Sequence, residues 1–125
     1  MTDSIHMPEQ ETFDSEDHYY GTLFHEMAHS TGHESRLARP GVSNPIRFGG
    51  HDYSQEELVA EMGAAFLAAE AWIDADGLMD NSAAYVASWL KALRNDKKLV
   101  VFAGAQAQKA VDHILDRSSE CEAAE

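Results

Sequence analysis

Cysteine is all but missing from this 125-residue chain, whose only one, Cys121, sits in the polar stretch RSSECEAAE. A single thiol excludes an intrachain disulfide and a thiolate metal cluster, so any metal site must be assembled from His, Asp and Glu. Positive charge is also scarce. Nine Lys and Arg face 22 Asp and Glu, the formal net charge is -13, and no Lys or Arg precedes Arg36. A field of that sign repels polyanions, which argues against direct nucleic-acid binding or docking on an anionic membrane through a broad basic face. Long apolar runs are missing as well, none approaching the roughly 18 residues of a membrane span. The N-terminal MTDSIHMPEQ has neither a basic n-region nor an apolar h-region. The expectation is a soluble, cytoplasmic protein without membrane association. The length suits one small domain with one core, placed at residues 1–115, with 116–125 as a disordered acidic tail.

Residues 4–7 read as a short extended segment that Pro8 ends, a candidate edge strand. A helix is expected to begin at Asp14 or Ser15, with Glu16 and Asp17 in its first turn and Gly32 as its stop. Tyr20, Leu23, Phe24, Met27, Ala28 and Thr31 recur at helical spacing, which predicts one core face. His18, Thr22, His25 and His29 gather on the other. Between His33 and Tyr53, the residues Pro40, Gly41, Pro45, Gly49 and Gly50 predict a long loop. Its Arg36, Arg39 and Arg47 form either a cationic rim or ordinary solvated positions. A second helix is expected from Ser54 to about Ile73, with Leu58, Met62, Ala65, Phe66 and Ala69 toward the core and Glu57, Glu61, Ala64 and Ala68 on another face. Third and fourth helices are expected over 82–94 and from Asn95-Asp96 to about Leu115.

The chemistry concentrates in HEMAH, residues 25–29. On a helix, H-E-x-x-H places two imidazoles one turn apart on one face, where both can reach a Zn²⁺ at about 2.0–2.1 Å. Glu26, between them, is the candidate general base toward zinc-bound water. The plainer alternative is a pair of surface histidines on an amphipathic helix.

A catalytic zinc needs a third protein ligand. His33 follows Gly32, but the H-E-x-x-H-x-x-G-x-x-H pattern would put the third His at position 35, which is Ser35. Were the helix to continue, His33 would lie about 12 Å along its axis from His25. His33 is therefore expected to anchor the loop or support a ligand from outside. In EELVAE, residues 56–61, Glu57 and Glu61 share a helix face at i and i+4. One can bind the metal while the other orients an imidazole N–H. Glu57 is favoured as the ligand and Glu61 as its support, with Glu56 pointing elsewhere. The competing reading makes Ser54-Gln55-Glu56-Glu57 a capping box, in which Glu57 only closes the helix N-terminus. Tyr53, Tyr19 or a loop arginine such as Arg36 is a candidate oxyanion or substrate contact.

These blocks occur together in a known order: IHMP, YYGTLFHEMAHSTGH followed by SRLAR, FGG, YSQEELVAEMGAAFL, AAYVASWLKALRNDKK and AQAQKAVDHIL. Over roughly residues 5–115 the chain resembles the C-terminal metallopeptidase domain of the ArdC-type antirestriction family, found on conjugative plasmids and phages. The resemblance implies a small α+β fold, a mostly helical zincin-like (gluzincin) metallopeptidase domain with a reduced β-sheet or edge strand. It also implies one Zn²⁺, held by His25 and His29 with Glu57 third, and Glu26 as base. Members of that family usually carry an N-terminal domain that binds single-stranded DNA. The present chain starts just before the metallopeptidase helix, so DNA binding is expected only through association with a separate domain.

Two functions follow as expectations. One is a zinc-dependent metallopeptidase acting on a peptide or protein substrate. The other is a non-hydrolytic, metal-stabilised binding module whose acidic surface engages a basic protein partner in defence or DNA processing.

Overall fold

The computed structural model describes residues 3–43, 51–72, 94 and 97–117. Among the described residues a 3-10 turn at Gln10–Thr12 precedes the helices α1 (Glu16–Ser30), α2 (Pro40–Ser43), α3 (His51–Glu70) and α4 (Lys97–Ile114). Helix α1 begins where expected. Ser15 is its N-cap, with Oγ accepting from the His18 N–H at 3.2 Å, and Glu16 and Asp17 sit in the first turn, where carboxylates favour the positive end of the helix dipole. Residues 4–9 form neither helix nor strand. The expected edge strand is therefore not formed, because extended backbone becomes a strand only when another strand supplies its ladder. Among the described residues the fold is helical.

Helix α3 is the central element, with α1 on one side and α4 on the other. Toward α4 it contributes Leu58 and Val59, which meet Leu99, Ala103 and Ala107, with Met62 packed against the cluster. Helix α4 shows its buried set at i, i+4 and i+8: Leu99, Ala103, Ala107, then Ala110 and Val111. Toward α1 the contact is made by small residues. A Cβ built on Gly63 would lie 3.0 Å from the Cβ of Ala28, itself fully buried. The two backbones approach there as closely as side chains permit.

This two-sided packing corrects the expected core face of α3. Ala65, Phe66 and Ala69 are exposed, whereas Val59, Ala60, Gly63, Leu67 and Ala68 are buried. A single-stripe reading assumes one neighbour, and α3 has two. Helix α1 departs likewise. Its histidine face packs on α3, while Tyr20, assigned to the core, is 40% exposed and takes part in an edge-on aromatic row with Phe13 and Tyr19. Helix α3 also starts three residues earlier than expected, and α4 runs close to its expected bounds. The third expected helix falls outside the described residues apart from Arg94, and the tail apart from Asp116 and Arg117.

The close α1–α3 approach yields a prediction. Gly63→Val forces two methyl groups against Ala28 and should cost about 1–3 kcal/mol of stability. Phe66→Ala, at an exposed position of the same helix, should stay within about 0.5 kcal/mol. Urea unfolding of the metal-free chain followed by circular dichroism measures both.

Candidate metal centre

His25 and His29 project from α1 one turn apart, their ring centroids separated by 4.6 Å and their planes by 80°. Helix α3 brings three glutamates to them. The Glu57 carboxylate spans the pair, with Oε2 at 3.3 Å from His25 Nε2 and Oε1 at 3.1 Å from His29 Nε2. Glu61 Oε1 lies 3.0 Å from His25 Nδ1, and Glu56 Oε2 lies 2.8 Å from His29 Nδ1. The two Nε2 atoms are 3.0 Å apart.

This pattern decides the tautomers. A carboxylate at each Nδ1 makes Nδ1 the donor, so in the neutral rings both Nε2 lone pairs face each other and the Glu57 oxygens. Both Nε2 atoms and the Glu57 carboxylate converge as electron-rich groups whose mutual repulsion a cation between them would relieve. One donor atom each from His25, His29 and Glu57 lies within 4.8 Å of the others. Tetrahedral ligands at about 2.0–2.1 Å from a shared ion sit roughly 3.3 Å apart, close to the spacings present here. The donor set therefore fits a divalent metal, and the Nδ1–carboxylate contacts are those that metal-ligating histidines ordinarily make.

Without metal, protons supply the positive charge. Burial opposes the charged imidazole of His25, yet hydrogen bonds and charge from Glu57 and Glu61 outweigh it and raise its pKa to about 10. His29 is raised to about 9 against the same burial, by Glu56 and Glu57. Hydrogen bonds from both imidazoles hold Glu57 well below the usual carboxylate range. Burial pushes Glu56 up, but His29 and Arg39 together hold it down.

Arg39 and Glu56 depart most from expectation. Arg39 is 5% exposed, not part of a cationic rim, and Glu56 is 4% exposed and turned directly onto His29. The Arg39 Nε donates to Glu56 Oε1 at 2.7 Å, and one terminal nitrogen to Oε2 at 3.1 Å. That nitrogen also donates to the Ala28 carbonyl at 2.6 Å, and the other to Thr31 Oγ1 at 2.7 Å. The guanidinium thus closes the C-terminal end of α1, where carbonyls lack helical partners. Gly32 admits it: a Cβ there would meet the Val42 side chain at 2.6 Å and Arg39 Nη2 at 2.9 Å. A visible signal for Glu56 was its place on the stripe it shares with Ala60, Gly63 and Leu67, a charged residue where apolar ones are buried.

The remaining candidates are distributed as follows. Because α3 starts at His51, Ser54 lies inside the helix and cannot be the cap of a capping box. Glu26 follows His25 on α1 and is half-buried. His33 lies in the turn after α1, its Nδ1 accepting from the Ser35 N–H at 3.1 Å, which matches loop anchoring. Arg36 is engaged within the chain. It grips Asp3 with two bonds of 2.9 and 2.7 Å and donates through Nε to the Ser30 carbonyl at 2.7 Å. Tyr53 is four residues before Glu57 on α3, and its side chain lies outside the described ones. Arg47 also lies outside.

With this geometry in place, the comparisons define the class. The zincin-like metallopeptidase family matches residues 1–106, and the chain belongs to it. Within that family its likeness is to the ArdC type. A plasmid-encoded antirestriction ArdC protein superposes on the chain with a TM-score of 0.66 in its metal-free crystal structure, at 47% identity over 88% of this chain and 38% of that one. Its Mn(II)-bound structure gives 0.69, at 45% identity over 89% and 40%. The chain is also 45% identical over 114 residues to a DNA primase TraC of Escherichia coli, covering 91% of this chain and 10% of that protein. An uncharacterized protein y4eC of Sinorhizobium fredii is 35% identical over 121 residues, 97% of this chain and 38% of the relative. The chain thus spans well under half the length of these relatives. Among the described residues, no helix is long and apolar enough to cross a membrane.

The raised histidines set the response to pH. Their folded values of about 10 and 9 exceed the unfolded value near 6.5, so their ion pairs stabilise the metal-free chain fully below that value. This stabilisation is lost as pH rises through about 9 to 10. Metal must displace the same protons. Binding of one divalent ion at pH 7 should therefore release close to two protons, measurable by calorimetry in buffers of different ionisation enthalpy. Apparent metal affinity should climb with pH as melting of the metal-free chain moves down.

Proposed function

We propose that this chain is a metal-dependent peptide hydrolase domain in which His25, His29 and Glu57 hold one divalent ion and Glu26 is the general base. The observation that carries this reading is the convergence of two Nε2 atoms and one carboxylate on a point, on a helix whose sequence follows His25 with Glu26. A bound ion of this kind supplies Lewis acidity and lowers the pKa of water to about 7.

The residues divide the remaining work. Glu26 takes the proton of the attacking water and returns it to the leaving amine. Glu61 and Glu56 fix the two rings so that each keeps its lone pair on the inner nitrogen. Arg36 and Arg39 are committed to Asp3 and to Glu56, so neither supplies the oxyanion donor. Tyr53 and Tyr19 are the other residues named for that role from the sequence. Two imidazoles and a carboxylate suit zinc, while the Mn(II) complex of the similar ArdC protein supports a site of this type accepting other divalent ions. The relatives' names, antirestriction protein and DNA primase, support a setting in the processing or protection of mobile DNA, with a peptide or protein as the direct substrate.

A second reading draws on the net charge of -13. There the ion holds α1 to α3, and the acidic surface binds a basic protein partner without hydrolysis.

One experiment separates the two. Zinc-loaded wild type and Glu26→Gln are each incubated with a complex peptide library and the products read by mass spectrometry. Both proteins should retain one ion, with cuts made only by the wild type and a loss of at least about 100-fold in the variant. Equal cutting by both removes Glu26 as base, and no cutting by a fully loaded wild type favours the binding module.

A further inference from the structure

We infer that Arg39 and Glu56 form a positioning pair for the metal centre: Arg39 fixes the carboxylate of Glu56, Glu56 fixes the ring of His29, and the turn after α1 thereby sets how tightly the ion is held. The inference rests on the reading of His25, His29 and Glu57 as ligands and assigns a task to two residues outside that set.

The geometry of Glu56 carries it. Its Oε1 accepts from Arg39 Nε at 2.7 Å, and its Oε2 accepts from Arg39 Nη2 at 3.1 Å and from His29 Nδ1 at 2.8 Å. A carboxylate gripped by a guanidinium fork in this way cannot rotate about its own axis. Its remaining direction is the one that aims His29 Nε2 at the other donors. Saturation has a second effect. Glu56 neighbours Glu57 on the same helix and, once released, could swing inward as a further ligand. Held by Arg39, it stays an outer acceptor and leaves a coordination position open, as a hydrolytic site requires.

Arg39 is held as firmly as it holds. It is anchored to the Ala28 carbonyl and to Thr31 Oγ1 at the end of the helix that carries both histidines. Backbone bonds fold the turn beneath it, from Leu37 N to the Thr31 carbonyl at 2.9 Å and from Arg39 N to the Gly32 carbonyl at 3.0 Å. Ala38, with φ of 50°, accepts a left-handed backbone just before the arginine. The end of α1, the turn and the start of α3 therefore converge on one guanidinium 10 residues beyond His29. Glu61, supporting the other ring, is 25% exposed at its side chain and stands nearer to solvent.

The test is Zn²⁺ affinity of the full chain, measured by titration against a competing chelator, with metal-free melting curves recorded alongside. Glu56→Gln should bind Zn²⁺ about 10- to 100-fold more weakly than wild type. Arg39→Met should lose about 10-fold or more on its own, yet add nothing in the Glu56→Gln background, because its effect runs through that carboxylate. A purely structural arginine would instead lower the melting temperature and weaken binding by the same factor in either background. Should Arg39→Met not fold, Arg39→Lys takes its place in the cycle, keeping the charge but not the fork. Wild-type affinity in Glu56→Gln, or equal losses from the arginine change in both backgrounds, overturns the pair and leaves the ligand set standing. Undiminished binding by His25→Ala overturns the ligand set and the pair with it.

Discussion

Everything at this centre depends on how closely α1 and α3 can approach. Ala28 and Gly63 meet where one added methyl would already be tight, and the residues flanking that contact are the histidines on one helix and the glutamates on the other. A larger side chain at either position would press the two helices apart and lengthen the contacts across the site. Contacts of this type owe their strength to dense van der Waals packing, not to large buried side chains. They tolerate little change for the same reason. The core on the far side of α3, with Leu58, Val59, Leu99 and the alanines of α4, holds the central helix in register while its other face is occupied by polar chemistry.

Much of this centre was legible in the sequence, and the rest was hidden for identifiable reasons. HEMAH on a capped helix predicts the imidazole pair, and the i, i+4 spacing of Glu57 and Glu61 predicts two carboxylates on one face. Both placements depend only on helix geometry, which propagates reliably from residue to residue. The same reading points Glu56 elsewhere, because the i, i+4 rule pairs Glu57 with Glu61 and does not register the buried arginine that brings the adjacent carboxylate onto His29. Arg39 reads as either a rim or a solvated loop position because its burial depends on a turn closing over Gly32, and no periodicity describes such a turn. The edge strand at residues 4–7 was read from local propensity, but pairing is a tertiary property. Arg36 found a carboxylate 33 residues away, a contact to which local spacing is blind.

The relatives put the domain in different settings. It corresponds to about two-fifths of an antirestriction protein and a tenth of a DNA primase. Among the described residues, three packed helices supply a core and bring the candidate ligands together. Each ligand candidate and each supporting carboxylate comes from α1 or α3.

The groups bonded around the two imidazoles also have a formal charge balance. Three carboxylates, Glu56, Glu57 and Glu61, oppose one guanidinium, Arg39, which leaves two negative charges. A divalent ion cancels them, and so do protons on both rings. Binding of a divalent ion would therefore exchange one ion for two protons with no change in the formal charge of the site. At physiological ionic strength, where charges are screened within about 8 Å, a partner approaching the acidic exterior would meet the same surface in either form. The protein can change its chemical state at the centre without announcing it at the periphery.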